Sequence, residues 1–180
     1  GVSCDTCADQ QTSLISVTTG PDGKFVLNDV PVVAGGTPVV IQIGRWRREI
    51  LVNMTACKDN PLTAAQTHLP KTHTKTGDQA NDLRDDIPLM AISTGSADPF
   101  ECLLVKMGIA TSEFVNATTD TTGGRIHYYK ENGVDLDGTV GGPAPAGSTL
   151  WASSANLKNN YDIVLLPCEG SPNDHGDNPR

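Results

Sequence analysis

The 180-residue sequence is poor in aromatic residues and has no long apolar run. Phenylalanine, tyrosine and tryptophan together supply only 4% of the chain, so its core has to be built mainly from aliphatic side chains. The longest apolar stretches, such as residues 38–43 and 163–167, are far too short to cross a bilayer as a helix. We therefore expect a chain without a membrane span.

Basic residues are also scarce relative to acidic ones. The sequence holds 13 Lys and Arg residues against 21 Asp and Glu residues, which gives a formal net charge of −8 at pH 7. Because an acidic surface repels the phosphates of DNA and RNA, we expect no nucleic-acid partner.

The motifs that would bind a cofactor or a metal are missing or incomplete. No Gly-x-Gly-x-x-Gly or Walker pattern occurs, and we expect no cofactor. Cys4 and Cys7 form a Cys-x-x-Cys pair, but no second such pair or histidine pair at ligand spacing joins them to make a zinc site. Asp135 and Asp137 look like part of a calcium loop in which Ala144 replaces the required glutamate, so as metal candidates they are incomplete.

Glycine and proline are plentiful, at 18 and 12 residues, and favour short strands joined by turns. In the first part of the chain, strands are predicted at residues 13–19, 25–27, 38–43 and 46–52. The residues between them, at 20–24 and 35–36, are typical turn formers. The sequence therefore predicts a β-sandwich over residues 1–58.

The only basic cluster lies at the start of the fourth predicted strand, at residues 45–48. On a strand, Arg45 and Arg47 point to the same face, so one side of the strand is basic. Together with Trp46 they are candidates for an interaction surface that pairs with acidic groups of a neighbouring domain or chain. The alternative is an edge strand that its charges protect from unwanted pairing.

Residues 59–86 are polar and contain few apolar side chains, which is typical of a long surface linker between domains. His68 and His73 lie within this stretch, with Pro70 between them. We expect both imidazoles to be exposed to solvent, and the alternative is that they bind a metal ion.

Residues 87–180 alternate between predicted strands and helices. The apolar run 87–94 is typical of a strand that is buried on both faces. Further strands are predicted at residues 125–129 and 161–166, and a short helix at 150–157. This order predicts a small, partial α/β domain with a parallel sheet.

The first helix of this part has clear end signals. Asp98 is the predicted N-cap, Pro99 takes the first helical position and Glu101 completes a capping box. Gly108 is the predicted end of the helix.

Residues 19–31, TGPDGKFVLNDVP, combine an Asp-Gly turn, a Lys-Phe start to an alternating strand, and a proline after the next turn. This stretch resembles the carboxypeptidase regulatory-like (transthyretin-like) domains, and the likeness covers residues 13–57. The longer turn at residues 33–37 departs from their pattern. The resemblance implies a small β-sandwich.

Residues 39–57, 92–109 and 161–170 resemble a group of large secreted proteins of myxobacteria and related bacteria. In that group a regulatory-like sandwich precedes an α/β domain that is similar to class I glutamine amidotransferases and ThuA-like folds. The resemblance implies a two-part α+β architecture with an incomplete second domain, and a secreted, extracellular or periplasmic location. It supplies no established activity.

The chain has five cysteines, Cys4, Cys7, Cys57, Cys102 and Cys168, so at most two bridges form within it. Cys102 lies in the first turn of the predicted helix and Cys168 follows the last predicted strand, and these ends can lie close together in a parallel sheet. We expect a Cys102–Cys168 disulfide, and a second bridge from Cys57 to either Cys4 or Cys7.

Cys168 also lies where the active-site residues of α/β sheets gather, just after a buried strand. His127 on a neighbouring strand and Glu169 beside the cysteine are candidates to complete a cysteine-dependent site. However, the Glu-Gly-Ser-Pro that follows Cys168 does not begin a helix cleanly, as a nucleophile in a strand-to-helix turn requires. We therefore assign no catalytic residue.

Taken together, these patterns predict an exported, non-enzymatic module: a structural, adhesive or assembly component of the bacterial cell surface with protein partners or self-association. The alternative is an amidotransferase- or hydrolase-like enzyme whose remaining catalytic residues lie further along a longer chain. The glycine at position 1 and the Gly/Pro/Asp-rich stretch 168–180 lead us to expect a processed or trimmed protein.

Overall fold

A computed structural model describes residues 15–74, 84–117, 123–138, 140–152 and 154–168 of the chain. The elements are β1 (Thr37–Ile43), β2 (Trp46–Val52), α1 (Ala64–Thr67), β3 (Met90–Ser93), α2 (Phe100–Met107), β4 (Phe114–Asn116), β5 (Ile126–Tyr129), α3 (Ser154–Asn160) and β6 (Ile163–Leu165). Short 3-10 helices lie at Thr111–Glu113 and Gly147–Thr149. The strands form one antiparallel and one parallel sheet, so the chain combines strands with helices as predicted.

The antiparallel sheet is a hairpin of β1 and β2. Thr37 pairs with Val52 and Ile43 pairs with Trp46, so the two strands are in register over their full length. Gly44 in the turn has a φ of 56°, a left-handed conformation that glycine adopts without strain. Two of the four strands predicted for the sandwich are thereby confirmed.

The other two predicted strands, at residues 13–19 and 25–27, are absent from the described part of the chain. Residues 15–36 contain no strand, although the predicted turn at residues 20–24 is present. Phe25 and Leu27 are partly buried and Val26 between them is 71% exposed, so the alternation is present without a strand. Because an alternating pattern becomes a strand only where a neighbour completes its backbone hydrogen bonds, the β-sandwich is not confirmed.

The parallel sheet has the strand order β4-β5-β3-β6. From β3 the chain passes through α2 to β4, and from β5 it passes through α3 to β6 on the far side of β3. Each of these connections contains a helix, which returns the chain to the starting edge of the sheet so that the next strand runs in the same direction. The parallel sheet predicted for this part of the chain is confirmed, and β4 is a strand that the sequence pattern did not predict.

Different helices cover the two faces of the parallel sheet. Leu104 of α2 packs in a cluster with Ile92 and Tyr128 on one face. On the other face, Leu157 of α3 packs against a cluster that contains Ala91. Since neighbouring residues of a strand point to opposite faces, burial on both sides explains why the first three residues of β3, Met90 to Ile92, are all apolar.

The described part of residues 59–86 is hydrogen-bonded to the hairpin. The Trp46 indole N–H donates to the Pro70 carbonyl oxygen at 2.9 Å. Arg47 and Asp86 exchange two backbone hydrogen bonds, of 2.9 and 2.8 Å. These bonds fasten the hairpin to the predicted linker and to the chain that enters the parallel sheet.

Helix α2 begins one residue later than predicted and lacks the predicted N-terminal cap and capping box. Its N-cap is Pro99, and no side chain makes a capping hydrogen bond. Asp98 instead accepts a hydrogen bond from the Cys168 N–H at 3.2 Å, so a tertiary contact replaces the local cap. Glu101 is buried rather than part of a capping box. Gly108 ends the helix in the left-handed conformation, as predicted.

Candidate functional site

The carboxyl edge of the parallel sheet is where chemistry is expected in this type of fold. Strands β3 and β5 lie side by side, and the chain leaves them toward opposite faces, to α2 and α3. Such a reversal opens a crevice outside the carboxyl ends of the strands, which is the usual ligand site. In this chain, residues 94–99 and 130–137 border the crevice.

Backbone fills this crevice. A Cβ atom added to Gly133 would lie 2.6 Å from the Gly95 carbonyl oxygen, and one added to Gly95 would lie 2.7 Å from the Cys168 carbonyl oxygen. Neither distance leaves room for a side chain, so both positions require glycine. The loops that follow β3, β5 and β6 are therefore stacked against one another at the place where a ligand would bind.

Hydrogen bonds hold the loop after β5 in this position. The Glu131 N–H donates to the Thr94 hydroxyl oxygen at 3.0 Å, and the Tyr128 hydroxyl donates to the Val134 carbonyl oxygen at 3.0 Å. Burial raises the pKa of the Tyr128 phenol above its ordinary value. The phenol therefore stays protonated at neutral pH and serves as a fixed donor.

The metal candidates Asp135 and Asp137 are engaged by a cation of the chain itself. The Lys130 Nζ lies 2.6 Å from Asp135 and 3.3 Å from Asp137. The hydrogen bond from Lys130 holds the pKa of Asp135 below its ordinary value, and the same bond raises the pKa of Lys130. Within the described ranges, no group of three or more His, Cys, Asp or Glu side chains is arranged to hold a metal ion.

Cys168 lies at the rim of this edge as an exposed, free thiol. The Ala97 N–H donates to its carbonyl oxygen at 3.1 Å, and its own N–H donates to Asp98. Cys102, in the first turn of α2, is a second exposed, free thiol. The structure thus places Cys168 beside the residues that precede α2 and Cys102 in the first turn of that helix, and the disulfide between them stays a prediction.

The second predicted bridge involves Cys57, which is also exposed and has a free thiol. Its expected partners Cys4 and Cys7 lie outside the described residues, as does the candidate acid Glu169. The bridge from Cys57 therefore stays a prediction as well.

The candidate base His127 lies in a hydrogen-bonded cluster with tyrosines on the α3 face of the sheet. Its Nδ1 is 2.9 Å from the Tyr161 hydroxyl, which in turn is 2.7 Å from the Tyr129 hydroxyl. Burial, reinforced by the bond to Tyr129, raises the pKa of Tyr161 far above its ordinary value. Cys168 lies instead beyond the carboxyl edge, so these contacts place the candidate base and the candidate nucleophile in different surroundings.

The basic cluster at the start of β2 is paired within the chain. Arg45 lies 2.8 Å from Asp162, just before β6, and Arg47 lies 2.7 Å from Glu49. Trp46 is half-buried and packs against the core of the parallel sheet. Arg45 and Trp46 therefore contact the α/β part of the same chain, and contact of the cluster with another chain stays a prediction.

A buried histidine–carboxylate pair is the feature that the sequence analysis missed. Glu113 is 3% exposed, accepts hydrogen bonds from the backbone N–H groups of His73 and Arg125, and lies 2.7 Å from His73 Nδ1. His68 is exposed as expected, but the expectation for His73 is wrong, since its side chain is only 12% exposed. His73 and Glu113 lie 40 residues apart, so no local spacing could have revealed the pair.

Comparison of the chain with protein-family models, with curated proteins and with solved structures finds no match. The likeness to regulatory-like and amidotransferase-like domains therefore depends on the sequence motifs alone. Among the helices of the described residues, none is long and apolar enough to cross a membrane.

Proposed function

We propose that the protein is a secreted, non-enzymatic module that serves as a structural, adhesive or assembly component of the bacterial cell surface. The observation that carries this proposal is the stacking of Gly133 on Gly95 and of Gly95 on Cys168 at the carboxyl edge of the sheet. A catalytic site of this fold needs open space at that edge for its substrate. Direct contact between the loops occupies that space.

Uncovered apolar side chains support a role in protein binding. Leu103 and Met107 lie four residues apart on α2 and are 49% and 56% exposed, and Ile163 and Leu166 at β6 are 39% and 58% exposed. Strand β6 pairs with β3 on one side, and no strand of the described residues pairs with its other edge. Exposed apolar groups and an open strand edge are typical of a surface that another protein covers. We therefore propose a protein partner or self-association at α2 and β6, named the α2–β6 surface.

Binding is tested with the full chain and with the variants Met107→Asp and Leu166→Asp. Val26→Asp is the matched control, because Val26 is exposed but lies outside the α2–β6 surface. For the unsubstituted chain we expect a concentration-dependent oligomer in light scattering, or a cross-linked partner at the surface of the producing bacterium. The two variants should show neither, and the control should behave like the unsubstituted chain. A chain that stays monomeric and yields no cross-linked partner would contradict the proposal.

The finer architecture belongs to the same proposal. It comprises a carboxypeptidase regulatory-like sandwich over residues 1–58, a polar connection over residues 59–86, and part of an amidotransferase-like domain over residues 87–180. The β1–β2 hairpin supports the first part, and the parallel strand order supports the last. Amide hydrogen exchange tests the sandwich, because its additional strands would protect alternate amides in residues 15–36, whereas uniformly fast exchange there argues against it.

Export is tested by fractionating the producing bacterium. We expect the protein in the medium, the periplasm or the surface fraction, apart from a cytoplasmic marker enzyme. Recovery of the protein together with that marker would rule out the proposed location.

A cysteine-dependent amidotransferase- or hydrolase-like activity is the second candidate, and the exposed Cys168 thiol at the carboxyl edge favours it. The test is turnover of glutamine and of simple amides and esters by the chain, by Cys168→Ser and by the control Cys57→Ser. Turnover that only Cys168→Ser abolishes would overturn the non-enzymatic proposal. Absence of turnover in all three proteins is the expected result.

A further inference from the structure

Cys102 and Cys168 are two exposed thiols at one corner of the parallel sheet. One lies on helix α2 and the other lies three residues past the end of the edge strand β6. Neither thiol makes any of the contacts between the loops at the carboxyl edge. A covalent bond between them would join the helix directly to the edge strand.

Backbone contacts fix Cys168 next to the start of α2. Its carbonyl oxygen accepts a hydrogen bond from the Ala97 N–H at 3.1 Å, and its N–H donates to Asp98 Oδ2 at 3.2 Å. The preceding residue, Pro167, is buried and packs against Gly95. Although Cys168 lies outside the sheet ladder, its position relative to the helix is therefore defined.

Cys102 approaches the same place from the helix. Its N–H donates to the Pro99 carbonyl oxygen at 3.1 Å, which places it about one turn beyond Asp98. Helical side chains lean toward the N-terminus, so the Cys102 thiol is directed back toward Asp98, where Cys168 is held. A disulfide spans about 4.4–6.8 Å between Cα atoms, so the bond requires the chain after β6 and the first turn of α2 to stay in this contact.

We propose that Cys102 and Cys168 form a reversible disulfide that locks β6 onto α2. The oxidant class is a small disulfide such as oxidised glutathione. One protein thiolate attacks it and releases one glutathione thiolate, and the second protein thiolate attacks the mixed disulfide and releases the other. Two protein thiols are oxidised to one disulfide, the oxidant is reduced to two thiols, and the two protons pass to the released glutathiones.

The lock acts on a strand that has few other restraints. Strand β6 has three residues and pairs with β3 alone in the described residues. Short edge strands open locally more readily than central ones. In the reduced protein, opening of β6 exposes the edge of β3 to a strand of another protein, and the disulfide prevents that opening. This redox control goes beyond the proposed function, and formation of the bond does not depend on which partner binds.

The test uses the full chain in which Cys4, Cys7 and Cys57 are replaced by serine, so that only Cys102 and Cys168 can react. After treatment with oxidised glutathione, we expect peptide mass spectrometry to find one intramolecular link and alkylation to find no free thiol. We also expect the amides of β6 to exchange about tenfold more slowly than in the reduced protein. Dithiothreitol should restore both thiols and the faster exchange.

The matched control adds Cys102→Ser to the same background. It should carry one glutathione on Cys168 and show no change in the exchange of β6. Persistent glutathione adducts on both cysteines of the parent would overturn the disulfide, and a link without slower exchange would overturn the lock. If circular dichroism shows that the serine background is unfolded, disulfide mapping of the unsubstituted chain decides between a Cys102–Cys168 link and another pairing.

Discussion

The N-terminal hairpin and the parallel sheet are held by different kinds of contact. The parallel sheet buries an apolar cluster on each face, with Ile92 and Leu150 almost inaccessible to solvent. In the hairpin, Val39 and Val52 are buried, but Val40 and other apolar side chains remain exposed. The Trp46 side chain fastens the hairpin to its surroundings, through the indole hydrogen bond to Pro70 and through packing against the core of the parallel sheet. Apolar burial thus stabilises one region on its own, whereas the other depends on the surface to which it is attached.

The largest difference between the two regions is expected from removing one aliphatic side chain in each. Ile92→Ala opens a cavity in the core of the parallel sheet and should lower the free energy of unfolding by about 2–5 kcal/mol. Val40→Ala, at a 45% exposed position in β1, should lower it by less than about 0.5 kcal/mol. Urea unfolding measures both changes. Equal losses would show that the hairpin has a core of its own and would remove the distinction.

A second comparison between the two regions uses one carboxylate from each, the buried Glu113 and the partly buried Glu49. Glu113→Ala leaves the His73 ring and two backbone N–H groups without their acceptor, which should cost about 2–3 kcal/mol of unfolding free energy. Glu49→Ala removes only the partner of Arg47 on the hairpin, which should cost less than about 1 kcal/mol. If urea unfolding gives Glu113→Ala the smaller loss, the buried pair is not a structural contact of the parallel sheet.

The stacked loops at the carboxyl edge are tested by adding one methyl group. Gly133→Ala forces Gly95 and its neighbours apart, and overpacking of this kind costs about 1–3 kcal/mol. Gly138→Ala in the same loop meets nothing within 4 Å and should change stability by less than about 0.5 kcal/mol. Thermal or urea unfolding compares the two. A Gly133→Ala protein as stable as its control would mean that the crevice has room for a ligand.

A smaller loss is expected from the tyrosine cluster beneath α3. Tyr161→Phe removes the hydroxyl that lies between His127 and Tyr129 but keeps the ring contacts, which should cost about 0.5–1.5 kcal/mol. A double-mutant cycle with Tyr129→Phe isolates the bond between the two hydroxyls. Additive losses in that cycle would show that the two hydroxyls do not interact.

The parallel sheet could be predicted from sequence because its strands carry a signal that does not depend on partners. Residues 87–92 are continuously apolar, which is what burial on both faces demands, and the short run 163–166 at the edge of the sheet is apolar as well. The end of α2 at Gly108 was equally predictable, since a single glycine in the left-handed conformation is enough to end a helix. Strand β4 was missed because a strand of three residues is too short to show a period.

Features that depend on distant partners could not be predicted. The pattern at residues 25–27 is that of a strand, but no neighbouring strand in the described residues completes its hydrogen bonds. Aspartate is a residue type that commonly caps helices, yet Asp98 accepts a hydrogen bond from the N–H of Cys168, 70 residues later in the chain. The closeness of Gly133 to Gly95 likewise follows only from the order of the strands. The sequence could therefore locate the edge where a site is expected, but could not reveal that the edge is filled.

Breaking the exposed ion pair of Lys130 and Asp135 should change the stability of the protein least. The pKa of Asp135 is lowered by Lys130, so its contribution to stability is present above the carboxyl pKa of the unfolded chain. That contribution is lost as pH falls through the lower pKa of the folded state. The pKa of Lys130 is raised by Asp135, so its contribution is present below the unfolded pKa and is lost as pH rises through the raised folded value. Around neutral pH the contribution of the pair is therefore constant.

Lys130→Gln tests whether this pair acts by charge. The control is Lys24→Gln, which removes the partner of Asp22 in the N-terminal region at a far more exposed position. At low salt and neutral pH we expect the urea midpoint of Lys130→Gln to fall slightly and that of the control to stay unchanged. Because about 1 M salt screens exposed charges beyond roughly 3 Å, the difference should shrink there, and it should also vanish once Asp135 is protonated at low pH. A difference that persists under both conditions would mean that the Lys130 side chain holds the loop by packing and not by charge. This loop would then be stabilised by apolar contacts, as the parallel sheet is and the hairpin is not.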